Sequence, residues 1–330
     1  MNIKPTRKLF VIIQPLQYLQ ALELLREDDV CVLIALWANP QSQLHNLVNE
    51  SDWSKVIWIE YSGSVIDIIK NRIQIRTTLT NLGVFDEVIV SAYYNEFMNL
   101  IVNGNSNSKV MLLEDGNATL FIDTYKYYES FKFKLKYLAC KLIGFNICPI
   151  TNVTLFTLSR LDDIKMPAIA SNVVINDFRK LRTEIESYAC DNSIYFISSS
   201  FINVGMLLKT DYISFLSNLA LKTPNAPFNI MLHRFDDRND FLALLELGNV
   251  NIHKFEGPIE LYFKQQQINP MKVISSGSGA TETLRLIYGL DVEIVMPDIQ
   301  LFHPDYRENV ELLVKHLKES YKVEFLEKGE

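Results

Sequence analysis

The sequence predicts an α/β protein with two domains and mainly parallel sheets. Short apolar runs alternate with segments of helical periodicity through the first third of the chain, which is the pattern of βαβ units. A second series of the same kind begins at Ser193. The length of 330 residues exceeds the size at which one hydrophobic core usually stops growing. We therefore divide the chain into domains at residues 1–190 and 191–330, with a ligand cleft between them.

The first domain is predicted to contain short buried strands at Lys8–Ile13, Val30–Leu36, Val56–Tyr61, Val88–Ser91 and Val110–Leu113. Helical spacing of apolar residues predicts helices near Leu16–Glu27, Ser64–Leu82 and Asn95–Val102. Residues from about 150 to 192 have no long periodic element, and we interpret them as a connecting region with short elements.

The second domain is predicted to contain strands at Ser193–Ser200, Asn229–Leu232, Val250–Phe255, Val273–Ile274 and Val292–Met296. Helices are expected at Asp211–Leu221, Phe241–Leu247, Pro258–Gln267, Ala280–Tyr288 and Arg307–Tyr321. His303-Pro304 is interpreted as a turn before the last helix.

Composition and charge argue against several classes of protein. A formal charge of −7 does not suit a general nucleic-acid binder. No signal-peptide pattern opens the chain, and no run approaches the roughly 20 apolar residues that cross a bilayer. The four cysteines form no CxxC pair, and there is neither a DxD triplet nor a close His or Cys pair for a metal. We expect a cytoplasmic protein that uses no metal and no cofactor.

The run Val110–Leu113 ends in Glu114, Asp115 and Gly116. Open α/β sheets bind ligands at the carboxyl ends of their strands, so these carboxylates are candidates for a general base. The alternative is an ordinary strand-to-turn junction, where Asp and Gly are common for local backbone reasons. Strand alternation directs adjacent side chains to opposite sides, so we expect one acid to face the cleft and favour Asp115 slightly.

A histidine and an arginine follow the predicted strand Asn229–Leu232. His233 and Arg234 at this position could hold an anionic leaving group, with His233 also donating a proton. A lone histidine is more often structural, and that alternative stays open.

A cluster of serines and glycines stands between a predicted strand and a predicted helix. Ser275, Ser276 and Ser278 alternate with glycines, and such a loop at a helix N-terminus can bind a phosphate. An N-cap with a flexible turn is the alternative. Glu260, on the preceding helix, could bind a ribose diol or be a solvated charge.

The segment 125–145 combines lysines with aromatic residues. Such a segment can lie on an anionic membrane surface. The alternative is a surface element whose lysines are solvated and whose apolar side faces the core.

In order along the chain, Glu114-Asp115-Gly116, His233-Arg234 and Ser275-Ser276 resemble the motifs of bacterial sialyltransferases, around glycosyltransferase family 52 and the capsular polysialyltransferases. The opening run 10–23, a strand followed by Pro-Leu-Gln and a helix, is similar to the start of these enzymes. Arg234 stands where that family has proline.

The resemblance implies a GT-B architecture with two Rossmann-like domains and an inverting, metal-independent transfer from CMP-sialic acid to a glycan or glycolipid hydroxyl. By this resemblance Asp115 or Glu114 is the base, and His233 acts on the CMP phosphate. The donor site includes Arg234, Glu260, Ser275, Ser276 and Ser278. We place Gln14, Gln17, Gly116 and Asn117 on the acceptor side of the cleft. The alternatives are a transferase of CMP-activated pseudaminic acid, legionaminic acid or Kdo, and a non-catalytic protein that binds nucleotides or glycans.

Overall fold

The computed structural model describes residues 5–37, 43–60, 65–115, 119, 122–123, 127–158, 167–183 and 188–326. The chain divides into two compact units, Met1–Asp177 and Phe178–Glu330. Each unit is built on one parallel β-sheet with helices between its strands, so the predicted fold of two Rossmann-like α/β domains is confirmed.

In the described part of the first unit, the sheet consists of β1 (Arg7–Ile12), β2 (Val30–Trp37), β3 (Lys55–Glu60), β4 (Glu87–Val90), β5 (Lys109–Leu113), β6 (Val153–Thr157) and β7 (Ala170–Ile175). The strand order is β3-β2-β1-β4-β5-β6-β7, and all pairs are parallel. The region from 150 to 192, predicted as a connection, therefore contributes two strands to this sheet. These short segments are strands because they pair with other strands of the sheet, and the periodicity of their own residues does not reveal this pairing.

In the described residues of the first unit, the helices are α1 (Pro15–Glu23), α2 (Gln43–Leu47), α3 (Val65–Leu82), α4 (Glu96–Asn103) and α5 (Phe131–Leu142). Short 3₁₀ helices span Glu50–Asp52 and Tyr127–Glu129. Within the basic and aromatic segment 125–145, α5 is helical. No helix in the described residues of the whole chain is long and apolar enough to cross a membrane.

Both faces of the first sheet are buried at its centre. Leu9 and Val11 of β1 belong to one apolar cluster, whereas the alternating residues Phe10 and Ile12 belong to another on the opposite face. Alternation of side chains along a strand produces this division, and burial on both faces explains why the strands are continuous apolar runs.

In the second unit, the sheet consists of β8 (Ala189–Ile197), β9 (Phe228–Met231), β10 (Val250–His253), β11 (Ile268–Ser275), β12 (Val292–Pro297) and β13 (Val323–Leu326). These strands are parallel and follow the order β10-β9-β8-β11-β12-β13. The helices are α6 (Arg179–Thr183), α7 (Lys209–Leu221), α8 (Ile259–Gln266), α9 (Ala280–Tyr288) and α10 (Pro304–Ser320). Further 3₁₀ helices span Arg238–Leu247 and Ile299–Leu301.

Two local predictions for the second unit can be compared with its structure. The helix expected at Phe241–Leu247 forms the last seven of the ten residues of the 3₁₀ helix Arg238–Leu247. His303 is the N-cap of α10, with Pro304 at the first helical position, as the predicted turn requires. A proline is tolerated there because the first N–H of a helix has no intrahelical partner.

Candidate functional site

The carboxyl edge of each sheet contains a point where the strand order reverses. In the first unit the chain runs outward from β1 to β3 and then returns to β4 on the other side of β1. In the second unit the same reversal lies between β8 and β11. Loops that leave neighbouring strands in opposite directions open a crevice, and ligands of open α/β sheets bind there.

Glu114 follows β5 and is buried by contacts with β6 and α1. Its Oε2 accepts hydrogen bonds from Thr157 Oγ1 at 2.5 Å and from the N–H of Leu158 at 2.6 Å. The side-chain amide of Gln20 pairs with the Glu114 backbone, donating to its carbonyl at 2.8 Å and accepting from its N–H at 3.1 Å. Glu114 therefore holds the ends of β5, β6 and α1 together.

Asp115 is directed differently and lines a cavity of the first unit. Its Oδ1 accepts a hydrogen bond from Gln17 Nε2 at 2.8 Å, and its N–H donates to Thr119 Oγ1 at 2.8 Å. Gln17 is itself oriented, because its Oε1 accepts from the N–H groups of Ile13 and Gln14 at 2.8 and 2.9 Å. The two adjacent acids thus take separate positions, and Asp115 is the one at the cavity.

This cavity has a volume of about 340 Å³. It is lined by Ser91, Ala92, Tyr93, Tyr94, Asn95, Glu96, Phe97, Leu112, Leu113, Asp115, Thr119, Ile122, Tyr127 and Lys136. Aromatic rings form one part of the wall, and two acids, an amide, a lysine and hydroxyl-bearing residues form another. A sugar ring has apolar C–H faces and a rim of hydroxyls, so this lining suits a sugar.

An ion cluster borders the cavity and holds α3, α4 and α5 together. Glu96 Oε2 accepts from Arg72 at 2.9 Å and from Lys136 at 2.8 Å, while its Oε1 accepts from the Tyr127 hydroxyl at 2.7 Å. Arg72 also donates to the sulfur of Cys140 at 2.8 Å. Buried charges are stable only when paired in this way, so the cluster sets the shape of the cavity wall.

Gly116 and Asn117, predicted on the acceptor side, lie outside the described residues. Gln14 contributes its backbone N–H to the positioning of Gln17, as described above. Among the acceptor-side residues that the structure describes, Gln17 contacts the candidate base through its side chain.

The serine and glycine loop of the second unit is closed by its own hydrogen bonds. Ser275 Oγ accepts from the N–H of Ser278 at 3.0 Å and from Thr281 Oγ1 at 2.9 Å. Gly277 has φ of +81°, a conformation that favours glycine. Ser276 Oγ lies 3.3 Å from Ser199 Oγ. Because Ser275 and Ser276 are fully buried, their hydroxyls shape the loop, and a ligand would meet its backbone.

His233 lies at the end of β9, and its ring is neutral at pH 7. Burial, and secondarily the charge of Arg234, lower the pKa of His233 to about 4. Its Nδ1 accepts a hydrogen bond from the N–H of Phe235 at 3.3 Å, which leaves the ring proton on Nε2. Arg234 is exposed, with its guanidinium 4.8 Å from the Phe235 ring centroid. His233 can therefore donate a hydrogen bond to an anion as a neutral ring.

Glu260 lies at the start of α8 with its carboxylate buried. Its Oε1 accepts a hydrogen bond from Thr283 Oγ1 on α9. Burial raises the pKa of Glu260 above its ordinary value. For Glu260 to bind a ribose diol, its hydrogen bond with Thr283 would have to be replaced by one from the ribose.

The structure also assembles polar residues that the sequence analysis did not select. Ser198 Oγ donates to Asp236 Oδ2 at 2.7 Å, and the same oxygen accepts from the N–H of His233 at 2.9 Å. Asn203 donates to Asp236 Oδ1 at 3.1 Å. Asp236 thus joins the ends of β8 and β9 beneath His233. Three serines in a row at the end of β8, from 198 to 200, were the signal that could have indicated this position.

Among the described residues, no group of three or more His, Cys, Asp or Glu side chains is arranged to hold a metal ion.

Neither a protein-family model nor a curated protein matches the chain. Solved structures do. A UDP-GlcNAc 2-epimerase from Neisseria meningitidis, solved with UDP-GlcNAc, is similar with a TM-score of 0.54 and 13% identity, over 95% of this chain and 91% of that one. The spinosyn forosaminyltransferase SpnP has a TM-score of 0.56 and 9% identity, over 98% and 86%. MnaA from S. aureus, solved with UDP, has a TM-score of 0.50 and 12% identity, over 96% and 88%.

These similarities contradict the resemblance to bacterial sialyltransferases. The similar structures are a UDP-GlcNAc 2-epimerase, a forosaminyltransferase and a protein solved with UDP, and no family model supports family 52. The physical reason lies in the motifs: short acidic, histidine and serine motifs also serve local needs at strand ends. Here Glu114 and Ser275 make the internal hydrogen bonds of their own loops. What the chain shares with these structures is the GT-B type fold of two Rossmann-like parallel-sheet domains.

Proposed function

We propose that this protein is a glycosyltransferase that moves a sugar from a nucleotide-activated donor to an acceptor hydroxyl. One observation carries the proposal: the Asp115 carboxylate, oriented by Gln17, lines an aromatic cavity at the carboxyl edge of the first sheet. A positioned carboxylate in a cavity suited to a sugar ring is the arrangement that activates a sugar hydroxyl.

In the proposed reaction the acceptor occupies the first unit. One of its hydroxyls donates a hydrogen bond to the Asp115 carboxylate. As the hydroxyl oxygen attacks the anomeric carbon, its proton moves to Asp115. The bond from that carbon to the phosphate oxygen breaks, and its electron pair leaves with the nucleotide. An attack of this kind inverts the anomeric centre.

The second unit supplies the proposed site for the nucleotide. Its loop after β11 is pre-formed by Ser275 and precedes α9, so backbone N–H groups and the helix N-terminus favour a phosphate. His233 offers a neutral Nε2–H at the end of β9, which can stabilise the charge of the departing phosphate. The backbone N–H groups and the neutral His233 ring donate hydrogen bonds and keep their protons, so none of them has to be reprotonated in each catalytic cycle.

UDP-activated sugars are the first donors to test, because the Neisseria epimerase was solved with UDP-GlcNAc and MnaA with UDP. CMP-activated sugars belong in the same panel, since both classes present a phosphate on an anomeric carbon. We propose that transfer needs no metal, and a chelator should leave the rate unchanged. Strong inhibition by EDTA that Mg²⁺ or Mn²⁺ reverses would contradict this part.

The test measures nucleotide release from each donor, with and without a library of glycan acceptors, for the intact chain and for Asp115→Asn. We expect acceptor-dependent release, lowered about 10²- to 10⁴-fold in kcat/KM by Asp115→Asn. Asp28→Asn is the matched control, because Asp28 is an exposed acid after α1 and at the opposite edge of the sheet.

Two outcomes would contradict the proposal. Full activity of Asp115→Asn would show that Asp115 is not the general base. Acceptor-independent inversion of the sugar, detected by NMR of the recovered donor, would make the protein an epimerase instead of a transferase.

A further inference from the structure

The helix α5 points an apolar stripe away from the core of its own unit. Phe131, Leu135, Leu138 and Leu142 have exposed fractions of 75%, 53%, 55% and 80%. With 100° between successive residues, these four side chains fall within an arc of about 60°. An amphipathic helix on a globular protein normally turns such a stripe inward, so this one is arranged in the opposite sense.

The inner face of α5 is firmly packed, which fixes the outward direction of the stripe. Phe133 is buried and packs against the rings of Tyr127 and Tyr128 at centroid distances of 5.4 and 4.8 Å. Cys140 is also buried and accepts a hydrogen bond from Arg72. The helix therefore cannot roll its leucines inward without breaking these contacts.

Lysines flank the stripe on both sides. Lys134 and Lys141 lie on one side and Lys132 on the other, and all three are exposed. The twelve residues of α5 contain four lysines and no acid, whereas the whole chain has a charge of −7. Positive charge is thus concentrated at the edges of the exposed apolar stripe. This charge distribution complements a negatively charged apolar surface, and it disfavours a second copy of the same lysine-rich face.

We propose that α5 is a membrane-surface helix that lies in the plane of an anionic lipid bilayer. The helix is about 18 Å long, and its stripe would enter the boundary between headgroups and acyl chains while the lysines contact anionic headgroups. This binding is independent of the proposed transfer reaction.

The same helix borders the cavity that contains Asp115. Lys136 of α5 lines that cavity and is paired with Glu96 at 2.8 Å. A bilayer under α5 would bring lipid headgroups near the cavity, so an acceptor sugar carried on a lipid fits this arrangement. This consequence rests on the proposed function, whereas vesicle binding does not.

The test is flotation of the full chain with vesicles of equal parts phosphatidylcholine and phosphatidylglycerol, compared with phosphatidylcholine alone. We expect binding to the anionic vesicles and a loss on the order of tenfold in partition coefficient for Leu135→Gln/Leu138→Gln. The matched control is Leu245→Gln/Leu312→Gln, which changes two exposed leucines of the second unit. This control should bind as the intact chain does.

A second variant tests the charged part of the surface with the stripe intact. Lys132→Gln/Lys134→Gln/Lys141→Gln should weaken binding to anionic vesicles by about fivefold for each lysine removed, and added salt should have a similar effect on the intact chain. Circular dichroism and thermal melting confirm that each variant is folded.

Absence of binding to anionic vesicles by the folded, intact chain would overturn the proposal. So would equal binding by the leucine variant. Light scattering provides the remaining outcome: a dimer of the intact chain that Leu135→Gln/Leu138→Gln dissociates would mean that a second copy covers the stripe. If the intact chain binds anionic vesicles as expected but transfers no sugar from any donor, the proposed function is contradicted and the membrane proposal is not.

Discussion

Glu114→Gln and Asp115→Asn change neighbouring carboxylates. We expect the first to lower stability and leave turnover nearly unchanged, and the second to lower turnover and leave stability nearly unchanged. Glu114 Oε2 accepts hydrogen bonds at 2.5 and 2.6 Å from two buried donors, on Thr157 and Leu158. Hydrogen bonds to charged groups contribute about 1.5–3 kcal/mol each, and the glutamine keeps one acceptor oxygen. We expect Glu114→Gln to lower the free energy of unfolding by about 2 kcal/mol.

The first unit spans Met1–Asp177, and for this size 1 kcal/mol corresponds to a shift of about 2–4 °C in Tm. Glu114→Gln should therefore lower the Tm by about 4–8 °C and leave kcat within a few-fold of its original value at temperatures where the protein is folded. Asp115→Asn should leave the Tm within about 2 °C, because the asparagine oxygen still accepts from Gln17. It should lower kcat by roughly 10²- to 10⁴-fold.

Differential scanning fluorimetry and the nucleotide-release assay measure the two quantities on the same samples. Both Tm and turnover are measured for both variants, because a loss of turnover in one variant could otherwise come from misfolding. The reasoning would be refuted by the crossed result, in which Glu114→Gln abolishes turnover at unchanged Tm and Asp115→Asn remains active. That result would assign the base to the buried acid.

Three further predictions concern charge and backbone. The pKa of His233 is about 4 in the folded chain and about 6.5 in the unfolded chain, so the unfolded state binds more protons between these pH values. Stability should therefore fall as the pH drops from about 6.5 to about 4. NMR titration of Arg234→Gln should show a higher His233 pKa, because the charge of Arg234 lowers it. Gly277→Ala should lower the Tm, because this residue has φ of +81°, whereas Gly279→Ala, at φ of −59° with open space around a Cβ, should leave it nearly unchanged. Glu96→Gln should lower the free energy of unfolding by about 3–5 kcal/mol in chemical denaturation, because it leaves the buried Arg72 guanidinium without its carboxylate. An unaltered midpoint would contradict the role of the cluster.

Most of the fold was predictable, and the misses have a common cause. The early strands are continuous apolar runs because both faces of the sheet are covered, and such runs are visible in a single sequence. β6 and β7 were missed because they become strands through pairing, β6 with β5 and β7 with β6. Pairing between distant segments leaves no local period.

The candidate site was predictable in position and not in detail. Asp115 and His233 stand at strand ends, as expected from the apolar runs before them. Gln17 was placed on the acceptor side of the cleft, whereas Gln20 of α1 was missed. Helical spacing follows apolar residues, and Gln20 is a buried polar residue that contacts the end of β5. Asp236 was likewise missed, since its role comes from the approach of Ser198, Asn203 and the His233 backbone.

The sequence by itself determined that strands and helices alternate in two series, that a pair of acids ends one strand, and that segment 125–145 is basic and amphipathic. Tertiary structure decided which acid faces a cavity and which side of α5 faces solvent. Local periodicity records that an apolar stripe exists, but what covers the stripe depends on contacts with distant segments. Phe133 packs against the Tyr127–Tyr128 turn and Cys140 contacts Arg72, and these contacts turn the leucines of α5 outward.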